Sequence, residues 1–228
     1  MQKVAIIPAR GGSKRLPRKN IIDFRGKPII AYTIEAAIDS RLFDRVIVST
    51  EDQEIAEISR RFGASVSERP KQLAADSAKV VQVCLDFLRS EEKEGRSYSV
   101  ICCLYATAPL RSAEDIKKTV QLIEPGVCDF SMAVTEFDQP PHQAMLVKPD
   151  NFLEPMWPDL VFVREGDLGR LCVDNGSTYA ASVEKFMKLG HFRGSNARAY
   201  FMPRSRSVDI NVPEDLEMAL YYAQKLGL

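Results

Sequence analysis

The densest chemistry in the chain follows its first apolar run, in Pro8-Ala9-Arg10-Gly11-Gly12-Ser13-Lys14-Arg15-Leu16-Pro17-Arg18-Lys19-Asn20. Five of these residues are basic, and Arg25 adds a sixth just beyond. Adjacent glycines let backbone N–H groups come close to phosphate oxygens, while guanidinium and ammonium groups neutralise their charge. The segment therefore reads as a phosphate-binding loop. It matches neither GxxxxGK[ST] nor GxGxxG, so it is not a Walker loop or a dinucleotide fingerprint. A nicotinamide-binding oxidoreductase is disfavoured further because Val48-Ser49-Thr50 precedes the first acidic residue after the second strand.

The elements that must hold this loop alternate in type. Residues 3–8 are rich in Val and Ile and stop at Pro8, as a buried strand does. Residues 28–40 carry Pro in the first turn and an apolar face of Ile29, Ile30, Thr33, Ala36 and Ala37, which predicts a helix. Strands are expected over 45–49, 98–104 and 129–135, with helices over 52–62, 77–90, 112–123 and 213–225. Ser112 with an acidic first turn is a helix start, and Gly63 a helix stop. Such alternation specifies an α/β fold, a doubly wound, mostly parallel sheet covered on both faces. A loop leaving the carboxyl end of a strand then lines the ligand crevice. Between 137 and 174 the rhythm breaks, with five prolines, the lone Trp157 and no clear period. A stretch this long is an excursion with a function, inserted in a single domain spanning 1–228.

Composition narrows the field. The 228 residues carry 31 Lys plus Arg against 31 Asp plus Glu, so the net charge is zero, and 45% are hydrophobic. A nucleic-acid-coating protein needs an excess of cations and is excluded, while a local basic pocket for a small phosphorylated ligand is not. No segment approaches the ~18 uninterrupted apolar residues of a membrane span. The five cysteines lack CxxC spacing and there are only two histidines, which argues for buried thiols rather than a zinc or redox site. A cytoplasmic protein is expected.

The loop resembles the signature of the nonulosonic acid cytidylyltransferases, the family of CMP-N-acetylneuraminate (sialic acid) synthetase and of the pseudaminic and legionaminic acid enzymes. The resemblance extends through Gly26-Lys27-Pro28-Ile29-Ile30-Ala31-Tyr32, Val48-Ser49-Thr50-Glu51-Asp52, Arg69-Pro70, Ala75-Asp76-Ser77, Ala108-Pro109-Leu110-Arg111, Asn175-Gly176 and Val208-Asp209-Ile210-Asn211. It implies a nucleotide-diphospho-sugar transferase-like, Rossmann-like domain whose small arm, here 137–174, builds a homodimer. It also implies transfer of CMP from CTP to a nine-carbon 2-keto-3-deoxy sugar acid, assisted by Mg²⁺. A Kdo-type acid, GTP in place of CTP, or a non-catalytic CTP-binding module are the alternatives.

Site residues carry over by position. Arg10, Ser13, Lys19 and Asn20 would hold the phosphates and ribose, within a loop that includes Ala9, Gly11 and Gly12. Arg69, Ser77 and Ala78 match the segment that reads cytosine. Asp209 matches one metal-binding aspartate of an Asp-x-Asp pair, and Asn211 stands where the second would be. Arg10, Lys19 and Asp209 are thus the expected catalytic groups. Asp52 and Asp76 read as turn or cap residues. The sugar pocket is expected from Tyr105, Gln143 and Asn175, with Arg111, Arg164 or Arg170 meeting the sugar carboxylate and His142 near by.

Overall fold

Val4, Ala5, Ile6 and Ile7 are wholly buried, because the strand they form has a neighbour on each side and helices on both faces. In the computed structural model, which describes residues 2–75 and 77–228, that strand is β1 (Lys3–Pro8). A small hairpin, β2 (Asp23–Phe24) and β3 (Lys27–Pro28), leads into α1 (Ile29–Asp39), β4 (Arg45–Thr50), α2 (Gln53–Arg61), β5 (Ser65–Glu68) and α3 (Val80–Lys93). Next come β6 (Val100–Leu104), α4 (Ala113–Val120) and β7 (Phe130–Thr135), then a second small hairpin, β8 (Met145–Val147) and β9 (Leu153–Pro155). The chain closes with β10 (Val173–Ser182), α5 (Val183–Leu189), β11 (Ala197–Phe201) and α6 (Pro213–Leu226).

Seven strands make one sheet in the order β11-β7-β10-β6-β1-β4-β5. Strands β5, β4, β1 and β6 run parallel. Strand β10 runs antiparallel to both β6 and β7, and β11 lies parallel to β7. Alternate side chains of β1 point to opposite faces. Ala5 and Ile7 pack with Ile30 and Ile34 of α1, Ile55 of α2 and Ile116 of α4. Val4 and Ile6 pack with Val83 and Phe87 of α3 and Phe186 of α5. The doubly wound, mostly parallel α/β sheet expected from the alternation is therefore present.

A third apolar cluster matters for the site. Leu16 of the basic loop and Ile210, next to Asp209, are buried with Phe24, Ile29, Leu110, Ala219 and Ala223. Truncating a buried Leu or Ile to Ala costs about 2–5 kcal/mol, so two segments without regular structure are tied firmly to α1 and α6.

Several elements differ from expectation, and strand β5 and the β2–β3 hairpin were not among the expected ones. Helix α3 begins at Val80, three residues later than its amphipathic pattern suggests, after a 3-10 turn at Lys71–Leu73. Strand β10, with α5 and β11, went unread: Asp174-Asn175-Gly176-Ser177-Thr178 is polar, yet Ser177 and Thr178 are fully buried. The pairing register of β10 with β7 shifts between Asp174 and Tyr179, so a bulge breaks the alternation a reader would look for. Segment 137–174 contains β8, β9 and short 3-10 turns, and its last two residues enter β10.

Away from the site, buried Glu91 at the end of α3 accepts hydrogen bonds from Arg96 Nε at 2.7 Å and Tyr98 Oη at 2.6 Å, and from Arg45 at the start of β4. Chiefly through Arg96, its carboxyl falls from an ordinary 4.5 to about 2. A carboxylate depressed in the folded state stabilises above its unfolded pKa, and that stabilisation is lost as the pH falls through the folded value. Glu91→Gln should therefore lower the melting temperature at pH 7, and calorimetry should show the gap to the parent closing between about pH 4.5 and 2. A gap independent of pH would contradict this account.

Candidate functional site

Loops leaving the carboxyl ends of β1, β5 and β6 converge on a cavity of about 470 Å³. Its floor is Pro8 and Ala106, and its cations are Arg10, Lys14, Arg15, Lys19 and Arg69. Buried Asn20 donates from Nδ2 to the Arg10 carbonyl at 2.8 Å and so folds the loop back upon itself. Arg69, just past β5, is buried and donates from Nη2 to the Ser49 carbonyl at 2.6 Å. Burial lowers its pKa and that of Lys19; Glu51 and Asp209 respectively pull the other way, and neighbouring cations add to the drop. The cavity is short of negative charge, which is the electrostatic condition for taking up a polyanion.

The end of β4 braces this loop from beneath. The Gly11 N–H donates to Glu51 Oε1 at 2.8 Å. Asp52 caps α2 through Ile55 N and also holds the Arg18 guanidinium, which Glu54 shares. Arg18 stands in left-handed backbone at φ 55°, and its side chain turns to the carboxylates at the start of α2. A Cβ at position 11 would collide with the Asp52 carboxylate, whereas one at position 12 would meet nothing within 4 Å.

On the opposite wall a chain of hydrogen bonds crosses the cavity. Lys19 Nζ donates to Asn211 Oδ1 at 2.9 Å, and Arg15 Nη2 donates to the same oxygen at 3.1 Å. Asn211 Nδ2 donates to Asp209 Oδ2 at 2.8 Å, and the Thr107 hydroxyl donates to Asp209 Oδ1. Ile210 N donates to the Thr107 carbonyl at 2.9 Å, stitching this segment to the end of β6. Asp215 Oδ2 accepts from the backbone of Asn211 and Val212, fixing the turn into α6. Burial raises the Asp209 carboxyl above the usual range, while Thr107, Asn211 and Lys19 pull the other way.

Asp209 and Tyr105 also border a second cavity, of about 810 Å³, formed by the loop after β7, the amino end of β10 and the start of α6. Asn175 and Gly176 line it, and Gly176 at φ +65° lies so close that a Cβ would stand 3.0 Å from Asp209 Oδ2. The Tyr105 and Tyr179 rings, 5.3 Å apart, form the wall between β6 and β10. Two cavities of ligand size thus meet at one carboxylate.

Residues 4–144 match the family model described as "Cytidylyltransferase". The chain is 36% identical over 223 residues to the pseudaminic acid cytidylyltransferase of Campylobacter jejuni, covering 96% of this chain and 95% of that one. It is 32% identical over 223 residues to the CMP-N,N'-diacetyllegionaminic acid synthase of Legionella pneumophila, with 94% and 93% covered. The chain belongs to the cytidylyltransferase family. Its backbone follows that of a CMP:2-keto-3-deoxy-manno-octonic acid synthetase solved with CTP, with a TM-score of 0.71 at 18% identity over 99% of this chain and all of the other.

For a cytidylyltransferase, the structure sorts the expected residues clearly. Arg10, Ser13, Lys19, Asn20, Arg69, Ala78, Asp209 and Asn211 all line the first cavity. Ala9 is buried beneath it, Gly11 and Gly12 lie in the loop's backbone bend, and Ser77 is exposed and lines neither cavity. Asp76 lies outside the described residues. Tyr105 and Asn175 line the second cavity; Arg111, Gln143, Arg164 and Arg170 line neither. Arg111 is buried, donating to the Ser177 carbonyl at 2.6 Å and Thr33 Oγ1 at 2.8 Å, and desolvation brings it down to about 10. It is a strut under the β6 and β10 loops. Arg170 is on the surface, stacked 3.5 Å from the Phe201 ring centroid and paired with Glu136. Gln143 and Arg164 are exposed, and His142 is buried within the turn Pro141–Gln143. Sequence reasoning passed over Thr107, Glu51 and Arg204; a hydroxyl three residues past an apolar strand was the available signal for Thr107.

The donor set limits how a divalent ion could bind. Among the described residues no group of three or more His, Cys, Asp and Glu is placed to hold one. The oxygen of Asn211 is turned to Lys19 and Arg15, so within the expected pair only Asp209 offers a carboxylate oxygen that could hold one. Each of its oxygens accepts one hydrogen bond here and has capacity for another contact. That suits Mg²⁺, which keeps several waters and binds through one or two carboxylates plus substrate phosphates.

The braced glycine gives a paired test. Gly11→Ala should displace the loop and lower kcat/KM by up to about 10²-fold, the cost of an ångström-scale misplacement. Gly12→Ala should stay near the parent in steady-state kinetics. Equal losses in both variants would refute the bracing by β4.

Proposed function

We propose that this chain joins CTP to a nine-carbon 2-keto-3-deoxy sugar acid of the pseudaminic, legionaminic or sialic type, giving the CMP-sugar and pyrophosphate. The observation that carries this reading is the meeting of a cationic cavity and a second, roomier cavity at Asp209. The relatives from Campylobacter and Legionella bear names of this substrate class, and both match nearly the whole chain.

In this reading the triphosphate lies among Arg10, Lys19 and the loop amides, with cytosine toward Arg69 and Ala78. The sugar enters the second cavity against Tyr105 and Asn175, with its anomeric hydroxyl beside Asp209. That oxygen bonds to the α-phosphorus as its proton passes to the Asp209 carboxylate, while the bond from the α-phosphorus to the bridging oxygen breaks and pyrophosphate leaves. Arg10 and Lys19 act on the negative charge that builds on the phosphoryl oxygens and the leaving group, the main demand of such transfers. Holding two reactants end to end removes much of the entropic barrier. Partly buried Asp209, more basic than an ordinary carboxylate, accepts a hydrogen bond from the incoming hydroxyl and orients it. Mg²⁺ belongs to the proposal: Asp209 would hold it, and when bound it would offset charge on the phosphate oxygens.

Assembly and location are part of the same proposal. Within 145–162, nine large apolar residues are exposed, Phe162 at 93%. Apolar side chains gathered in this way mark an interaction surface, and we assign it to a homodimer built by this arm. Among the described residues no helix is long and apolar enough to cross a membrane. The five free cysteines suit a reducing compartment, the cytoplasm.

Purified protein with Mg²⁺ and CTP should release pyrophosphate only when pseudaminic, legionaminic or N-acetylneuraminic acid is added. Lys19→Ala and Asp209→Asn should each slow that release by about 10²-fold or more. Release that ignores the sugar acid, or none with any of the three, would contradict the proposal.

A further inference from the structure

The sugar of this reading carries a carboxylate at neutral pH, and an unpaired carboxylate is costly to take out of water. Some cation must therefore line the second cavity. Among the described residues Arg204 is the only Lys or Arg that does so. The other charges along the cavity are carboxylates: Glu136, Asp138, Asp174, Asp209 and Asp215. Of these, Glu136 is paired with Arg170 and Asp174 with Arg193, neither of which lines the cavity, so Arg204 is where an entering anion meets a cation on the cavity wall.

Resting on the function proposed above, we infer that Arg204 receives the sugar carboxylate, giving up Asp138 to do so. The guanidinium of Arg204 now holds Asp138 Oδ1 at 2.7 Å, with the two side chains 59% and 63% exposed. An ion pair so open to water is weakly held and easily exchanged for a second carboxylate. The planar fork of an arginine suits bidentate capture of that group. The backbone that carries it is firm. Arg204 opens the 3-10 turn Arg204–Arg206, and Arg206 donates to both oxygens of wholly buried Asp115, at 2.9 and 2.8 Å. Ser207 donates to the Pro203 carbonyl at 3.0 Å and accepts from Asn175 Nδ2 at 3.1 Å. Only the side chain of Arg204 needs to move. Asp138, on the loop after β7, then acts as a stand-in anion that holds the fork ready and makes neutral sugars poor competitors.

The test uses whichever of pseudaminic, legionaminic and N-acetylneuraminic acid the parent protein turns over, together with the C1 carboxamide of that sugar. The parent should prefer acid to carboxamide. Arg204→Gln should raise KM for the acid roughly 10–100-fold, the worth of a charge-assisted hydrogen bond, leave KM for CTP within about twofold, and handle both sugars alike. Asp138→Asn should lower KM for the acid, which keeps the inference testable if the first variant folds poorly. An Arg204→Gln protein that binds CTP normally and keeps the parent's preference for the acid would overturn the inference and leave the proposed function standing. A parent inert toward all three acids would overturn both.

Discussion

Lysine and arginine side chains have hydrogens to give and no lone pair to accept with, while an ionised carboxylate has only lone pairs. An asparagine between them has one stable orientation. Asn211 meets that constraint with its oxygen on Lys19 and Arg15 and its nitrogen on Asp209. This single amide joins the basic loop after β1 to the turn before α6, and Thr107 extends the connection to β6. An aspartate at 211 would attract the two cations more strongly but repel Asp209. The asparagine keeps the cations near the carboxylate without neutralising them, so they remain able to meet phosphate.

Charge is separated on a molecule whose total is zero. Five cations face the first cavity, and five carboxylates border the second with one arginine among them. Asp209, which borders both, is where a phosphorus and an attacking oxygen can be brought together. Apolar anchors on both segments, Leu16 and Ile210 in one cluster with α6, keep the geometry from depending on the polar contacts alone.

The parts of the molecule that follow a period were legible in the sequence. The alternation of apolar runs with amphipathic ones announced β1, β4, β6 and β7 but not the short edge strand β5, and the basic Gly-Gly segment announced its phosphate chemistry through composition. Strand β10 was not legible, because its buried hydroxyls look polar on paper and its bulge spoils the two-residue repeat. Arg111 shows a different difficulty. An arginine after Ala108-Pro109-Leu110 looks like a ligand for an anion, but its shortest hydrogen bonds go to the Ser177 carbonyl of β10 and the Thr33 hydroxyl of α1, neither of which is local in sequence. Arg204 was hidden for the converse reason. Its importance comes only from the cavity around it, built by the loop after β7, the amino end of β10 and the start of α6.

The structure of the protein with CTP bound tests this account most directly. The account places the triphosphate between Arg10 and Lys19 with its α-phosphate toward Asp209, the cytosine beside Arg69 and Ala78, and the Lys19 ammonium within hydrogen-bond reach of a phosphate oxygen. A triphosphate seated in another part of the molecule, with Lys19 and Arg15 both still closed on Asn211, would contradict it.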